Sequence, residues 1–494
     1  MEDERDFSYF AAEHGETGYV TEILYPIVSV VGIPTVRLNE LVIFENGEMG
    51  QVFALREDTV QVGLLARHPV PPATRVARTG QMVSFTAYPE LGGKIIDPLG
   101  NIVLGESVKP TQTEVLPVFT EAPLLAQRRR VKVQMTSGIR LVDFLLPIGR
   151  GQKQLLIGDR KTGKRQFALQ SALTAVRNGM KVVYAAIGQN NSDIRLIYDF
   201  FESEGILDYV VIIATSSVDS PALIYLTPYV AMTAAEYYKK QGIDTLVILE
   251  DISTHSQFYR EFSLLAGRFP GRESYPGDIF YAHSQLLERA GNFAFTDERD
   301  VSITCMPIVH IIEGDFTSYI STNSIGMTDG HLFFDRDTFL SGIRPPINIS
   351  LSVTRAGKQT QVPLLRDVNH MITSFFSEYT HVQAYSRFGA EVSATIRTTL
   401  TRGQRMYDFF YQNNYYSSSI LADLLLFSLV WMDIFNTKTG VDIEKARIHL
   451  MSELGDEQTT NEFQSILELN DADHMLTFVS ERKERLLALC GLKT

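Results

Sequence analysis

The sequence predicts an α/β protein carrying an all-β domain before its sheet and an all-α domain after it. Three observations predict this. Short apolar runs separated by turn residues fill residues 18–87. Apolar strand candidates then alternate with amphipathic stretches over residues 88–362, and beyond 363 the strand signal fades while helical periodicity continues. A chain of 494 residues is also longer than one hydrophobic core organises.

Each element follows from local chemistry. Residues 1–17 form a short leading segment whose start, Met1 to Asp6, is acidic and lacks the apolar stretch of a secretory signal. In 18–87 the runs 27–31, 41–44, 51–55 and 60–64 read as strands, with Asn46-Gly47 supplying turn chemistry, so a small barrel or sandwich is expected. In 88–362 the buried strand candidates are 155–157, 182–187, 210–214, 246–249 and 303–309, and between them lie helical stretches such as 165–178 and 222–240. Apolar strands separated by helices imply a parallel sheet covered on both faces. In 363–494 the segments 380–400, 420–435 and 463–489 read as helices.

Composition narrows the function. A net charge of −13 disfavours gripping nucleic acid through its phosphates. Two cysteines, Cys305 and Cys490, support neither a disulfide framework nor a metal cluster and suit a reducing compartment. The most apolar stretch, 420–435, is interrupted by Asp423 and Asp433 and falls short of the roughly 20 residues a membrane crossing needs. It reads as a core helix, so any tie to a membrane runs through partners.

The chemistry begins where strand 154–157 runs into Gly158-Asp159-Arg160-Lys161-Thr162-Gly163-Lys164. This is the G-x-x-x-x-G-K cradle, whose backbone N–H groups and lysine hold phosphates. The pattern normally closes on Ser or Thr, whose hydroxyl holds Mg²⁺, but Arg165 stands here. The loop is built to hold phosphate, or once held it, rather than to hydrolyse ATP. In a sheet of this class ligands meet the carboxyl ends of the strands. Gln189 follows strand 182–187, where a hydrolytic site needs a carboxylate to polarise water. Glu250-Asp251 ends strand 246–249 in the manner of a metal-orienting acid. Arg355 follows the strand-like run 347–353 and reads either as a solvated charge or as an arginine reaching a neighbour's phosphate.

With these pieces in order, the chain resembles the alpha subunits of F-type ATP synthases from about Gly18 to at least Tyr416. The resemblance is carried by Pro147-Ile148-Gly149-Arg150-Gly151-Gln152 before the loop, and by Pro270-Gly271-Arg272-Glu273-Ser274-Tyr275-Pro276-Gly277-Asp278. Leu286-Leu287-Glu288-Arg289-Ala290, Ser324-Ile325-Gly326-Met327-Thr328-Asp329-Gly330, Gly342-Ile343-Arg344-Pro345, Ser352-Val353-Thr354-Arg355 and Thr401-Arg402-Gly403-Gln404-Arg405 complete it. The resemblance implies a small β-barrel, a RecA-like P-loop NTPase domain and a helical domain. It implies ATP or ADP bound in a non-catalytic pocket, with Phe339, Arg344, Gln412 and Asn414 on the adenine side. It makes Arg355 the arginine finger for a neighbouring catalytic site, since Gln189 marks an alpha-type chain where beta-type chains carry a glutamate. It implies beta-type partners in an alternating ring of three plus three, a central rotor shaft, a stator contact and coupling to proton or sodium transport. The complex would sit on the cytoplasmic, matrix or stromal face of its membrane.

Four departures stand against this pattern. Arg165 replaces the usual Thr, Glu250 the usual Asp and Asn414 the usual Gln, and the segment before the barrel is short, which weakens the expectation of stator docking. As a Mg²⁺ ligand Glu250 still offers oxygen, from a longer arm than Asp, while the loop hydroxyl that would share the metal is missing. Two readings of Arg165 stay open: its guanidinium pairs with phosphate oxygens in place of metal, or the pocket is a vestige in which Lys164 and Arg165 repel and turn to Glu250. The rival functions are an alpha-like paralogue in a dedicated ATP-driven motor and an RNA translocase. Gln189, Arg165 and the acidic balance oppose the translocase.

Overall fold

The computed structural model describes residues 6–66, 70–106, 109–110, 112–387, 394–412, 419–434 and 440–492. The chain divides into two compact units. One comprises Met1–Arg130, Gly151–Ile157 and Ala175–Asp329, and the other Val131–Arg150, Gly158–Thr174 and Gly330–Thr494.

The first unit opens with a six-stranded closed barrel: β1 (Thr17–Leu24), β2 (Ile27–Val31), β3 (Glu40–Phe44), β4 (Met49–Leu55), β5 (Val60–Leu64) and β6 (Arg75–Met82). The strands close in the order β1-β2-β5-β4-β3-β6. Alternation puts Val28, Val30, Val42, Val52, Val62 and Val76 inside, all fully buried. The helix Phe7–His14, capped by Asp6, lays Phe7 and Phe10 against Ile43 and Ala77 of the barrel.

After the barrel comes the parallel sheet that the apolar runs predict. Its spatial order is Gln154–Asp159, Asp300–Ile311, Thr245–Glu250, Lys181–Gln189, Val210–Ser216, Lys94–Ile96 and Ile102–Leu104. Every residue of Thr245–Glu250 and Val210–Ser216 is buried, the signature of strands covered on both faces. The last two strands, three residues each, were not expected; Lys94–Ile96 joins the sheet in parallel and Ile102–Leu104 folds back on it. Asn191–Ser203, Pro221–Lys240 and Ile252–Leu265 supply helices of this unit, the second started by Ser220 and Pro221.

In the second unit, helices Pro363–Arg387, Ala394–Phe410, Ile420–Trp431 and Gly440–Glu453 follow one another, ahead of three shorter ones ending at Leu489. Their core is aromatic: Phe144, Phe409, Phe410 and Phe427 pack ring on ring, with Phe409 and Phe410 centred 4.9 Å apart. Leu421 to Val430 are all buried, as a core helix requires. Among the described residues no helix is long and apolar enough to cross a membrane. A barrel, an α/β domain and a helical domain thus occur as the sequence predicts. Two local expectations fail: the segment 463–489 is divided among separate helices, and the run 347–353 is not one continuous strand, since Ile347 makes a single bridge to Phe334 and Val353–Thr354 pairs with Gly330–Phe334. Asn348 turns the chain instead, its Oδ1 accepting from Ser350 N and Leu351 N at 3.1 Å each.

Candidate functional site

The phosphate loop lies in the second unit, between the end of Gln154–Asp159 and the helix Lys164–Arg177. Gly158 is fixed by close approach: a Cβ there would stand 2.2 Å from the Phe334 carbonyl oxygen. Gly163 takes φ +90°, a conformation that side chains resist, and its carbonyl accepts the Phe167 N–H as the helix begins. Lys164 is only 3 % exposed. Its ammonium donates to the loop's own carbonyls, Gly158 at 2.7 Å and Asp159 at 2.5 Å. Thr162, the loop's one hydroxyl, is also buried and donates to Asp159 O at 2.7 Å. Arg160 and Lys161 are exposed, and Arg165 is half-buried in the first helical turn. From Gly158 to Arg165 the loop carries four cations and one carboxylate, Asp159.

The same unit brings Phe339, Arg344 and Gln412 to this loop, around a cavity of about 30 Å³ that Gly163 and Phe167 also line. The guanidinium of Arg344 lies over the Phe339 ring at 3.7 Å and donates to the Phe339 and Ile343 carbonyls, 2.8 Å each. Gln412 is held at three points: its N–H donates to Arg344 O at 2.9 Å, its Nε2 to Gly138 O at 2.7 Å, and its Oε1 accepts from Arg140 N at 3.2 Å. Behind it, the buried carboxyl of Asp143 accepts from Ser137 N, Ser137 Oγ and Gly138 N at 2.8, 2.8 and 3.1 Å. Burial pushes that carboxyl up to about 7 against the pull of these donors. Asn414 lies outside the described residues.

Gln189 and Glu250 lie in the first unit, at adjacent strand ends. The parallel register sets Ala186 beside Glu250, and a bulge follows before Gln189 pairs with Ser216. Glu250 accepts the hydroxyl of buried Tyr184. The Gln189 amide nitrogen stands 3.4 Å from Glu250 O and from Asp251 Oδ2. Asp251 caps the helix Ile252–Leu265, accepting Thr254 N at 2.6 Å, and His310 Nε2 lies 3.3 Å from its carboxylate. Burial acts to raise the Asp251 carboxyl, but His310 and the two Thr254 donors outweigh it and leave the group below its ordinary range. At these strand ends an amide, Gln189, thus stands beside two carboxylates, one capping a helix and the other accepting the Tyr184 hydroxyl.

Comparison with known proteins decides the family. Residues 138–354 match the model for the ATP synthase alpha/beta family, nucleotide-binding domain, and residues 361–479 match that for the ATP synthase alpha/beta chain, C terminal domain. The chain belongs to the ATP synthase alpha/beta family. Among curated relatives it is 36 % identical over 408 residues to ATP synthase subunit alpha of Caldanaerobacter subterraneus subsp. tengcongensis, covering 82 % of this chain and 80 % of that one. It is 34 % identical over 446 residues to ATP synthase subunit alpha of Ehrlichia ruminantium, covering 88 % of each. The corresponding subunit from a Sulfurovum species is 37 % identical over 402 residues, 81 % of this chain and 79 % of that one.

In this alpha-type chain Arg355 is exposed and follows the strand Val353–Thr354. Its base is firm: Thr354 Oγ1 donates to Pro147 O at 2.8 Å and accepts Gly357 N at 3.1 Å. A Mg²⁺ ion, implied by the family, does not fit the loop. The hydroxyl that would ligate it is replaced by the guanidinium of Arg165, and Thr162 is turned inward. Among the described residues, no three acidic, histidine or cysteine side chains gather into a metal-holding group. Sequence reasoning missed Tyr184, His310, Asp143 and Arg140, which orient Glu250, Asp251 and Gln412; their one signal is a polar residue within an apolar run.

Proposed function

We propose that this chain is a non-catalytic subunit of a rotary ATP synthase head, holding a nucleotide of its own and lending Arg355 to the catalytic site of a neighbouring beta-type subunit. Gln189 carries this reading. An amide can orient water but cannot take its proton, so hydrolysis needs a site elsewhere. The exposed, well-anchored Arg355 supports the second half: a guanidinium projecting from rigid backbone suits insertion beside a neighbour's developing phosphate charge. The partners are beta-type chains in an alternating three-plus-three ring, a central shaft and a stator. The adenine nucleotide enters beside Phe339, Arg344 and Gln412, widening the cavity of about 30 Å³ between them. The head lies beside a membrane through the complex, and its rotation is coupled to proton or sodium flow.

The departure at Arg165 favours one second reading, an alpha-like paralogue in an ATP-driven motor without a synthase role. Purification of the native complex tests both. The synthase reading expects beta-type and ring-forming membrane subunits to co-purify, and expects the chain alone to leave ATP intact. Brisk turnover by the chain alone would refute the non-catalytic role, and co-purification without membrane-ring subunits would favour the motor.

A further inference from the structure

We propose that the phosphate loop of this chain binds a nucleotide's polyphosphate without a divalent metal ion, the guanidinium of Arg165 taking the metal's place. The inference rests on the nucleotide-holding reading above and changes its chemistry. Position 165 is where a loop of this form places its metal-holding hydroxyl, one residue after the lysine and inside the first turn of Lys164–Arg177. Arg165 is half-buried there, and an arginine in that setting can cover apolar surface with its stem while its head stays in reach of solvent. Its planar fork matches two phosphate oxygens at once, which an ammonium does not.

The charge around it points the same way. Four cations against one carboxylate between Gly158 and Arg165 offset a bare polyphosphate directly, together with the N–H groups at the helix start. A divalent cation entering beside the phosphates would meet Arg165 where it needs an oxygen ligand. Lys164 is drawn onto the Gly158 and Asp159 carbonyls and is buried, while Arg160 and Lys161 lie exposed on the loop. Arg165 is thus the one loop cation of intermediate exposure, neither buried like Lys164 nor open like Arg160 and Lys161.

The test is calorimetric titration of the full-length chain with ATP, in excess magnesium and in excess EDTA, for the wild type and for Arg165→Thr. The proposal expects wild-type dissociation constants within about twofold of each other in the two buffers. It expects Arg165→Thr to weaken binding in EDTA by roughly tenfold or more and to recover it with magnesium. Wild-type binding lost in EDTA overturns the proposal, as does binding absent from both buffers or Arg165→Thr binding equally well in EDTA. If the variant does not fold, the wild-type comparison decides alone. Magnesium-dependent binding by a chain that still fails to hydrolyse ATP would sink this inference and leave the non-catalytic reading standing.

Discussion

Replacing Asp143 with asparagine should reverse the order of stability of two proteins as pH rises. Asp143 is 3 % exposed, and its carboxyl is pushed from 3.8 up to about 7 by burial, with Asp423 adding in the same direction. A carboxyl raised in the folded state is protonated there at pH values where the unfolded chain has ionised. The associated penalty is absent below the unfolded value, grows as pH rises and is complete above about 7. At about 1.4 kcal/mol per pH unit, the wild type loses about 3 kcal/mol through this group between about pH 5 and pH 8. The amide does not titrate. At the lower pH Asp143→Asn is the less stable protein, because Nδ2 cannot accept from one of the three donors on Ser137 and Gly138, a cost of about 1–3 kcal/mol. At the higher pH it should match or exceed the wild type. Urea unfolding of both at the two pH values reads the difference directly, and other titrating groups cancel between them. Parallel stabilities at both pH values would refute the assignment of a strained buried carboxyl behind Gln412.

Two further predictions follow from the same kind of accounting. Gly158→Ala places a methyl 2.2 Å from the Phe334 carbonyl, so thermal melts should show a loss of about 2 kcal/mol or more, with ATP binding weakened alongside. His255 and His283 share a buried 3.0 Å hydrogen bond, and burial lowers His255 from 6.5 to about 4. A lowered histidine costs stability as pH falls from its unfolded toward its folded value, here about 3 kcal/mol between pH 6.5 and 4, and His255→Gln should flatten that slope in an acid titration monitored by circular dichroism.

The parts legible in the sequence were those with strong local rules. Glycines and a lysine at fixed spacing after an apolar strand locate the phosphate loop, and fully apolar runs locate the central strands. The three-residue strands Lys94–Ile96 and Ile102–Leu104 are too short for a period, so sheet pairing alone reveals them. The run 347–353 alternates like a strand, yet Asn348 bonds two following N–H groups and wins the competition for the backbone. Phe339, Arg344 and Gln412 sit far along the chain from Gly163, and no spacing rule joins them; only likeness to the alpha-subunit family did. Tyr184 and Asp143, which hold Glu250 and the Ser137–Gly138 turn, looked like ordinary core positions because their partners are set by tertiary packing.

The most direct test of the account is Arg355→Ala in the assembled complex, read by ATP turnover alongside subunit stoichiometry. Assembly should stay intact while hydrolysis slows by about a thousandfold, as for a lost arginine finger. Undiminished turnover by a fully assembled mutant complex would contradict it.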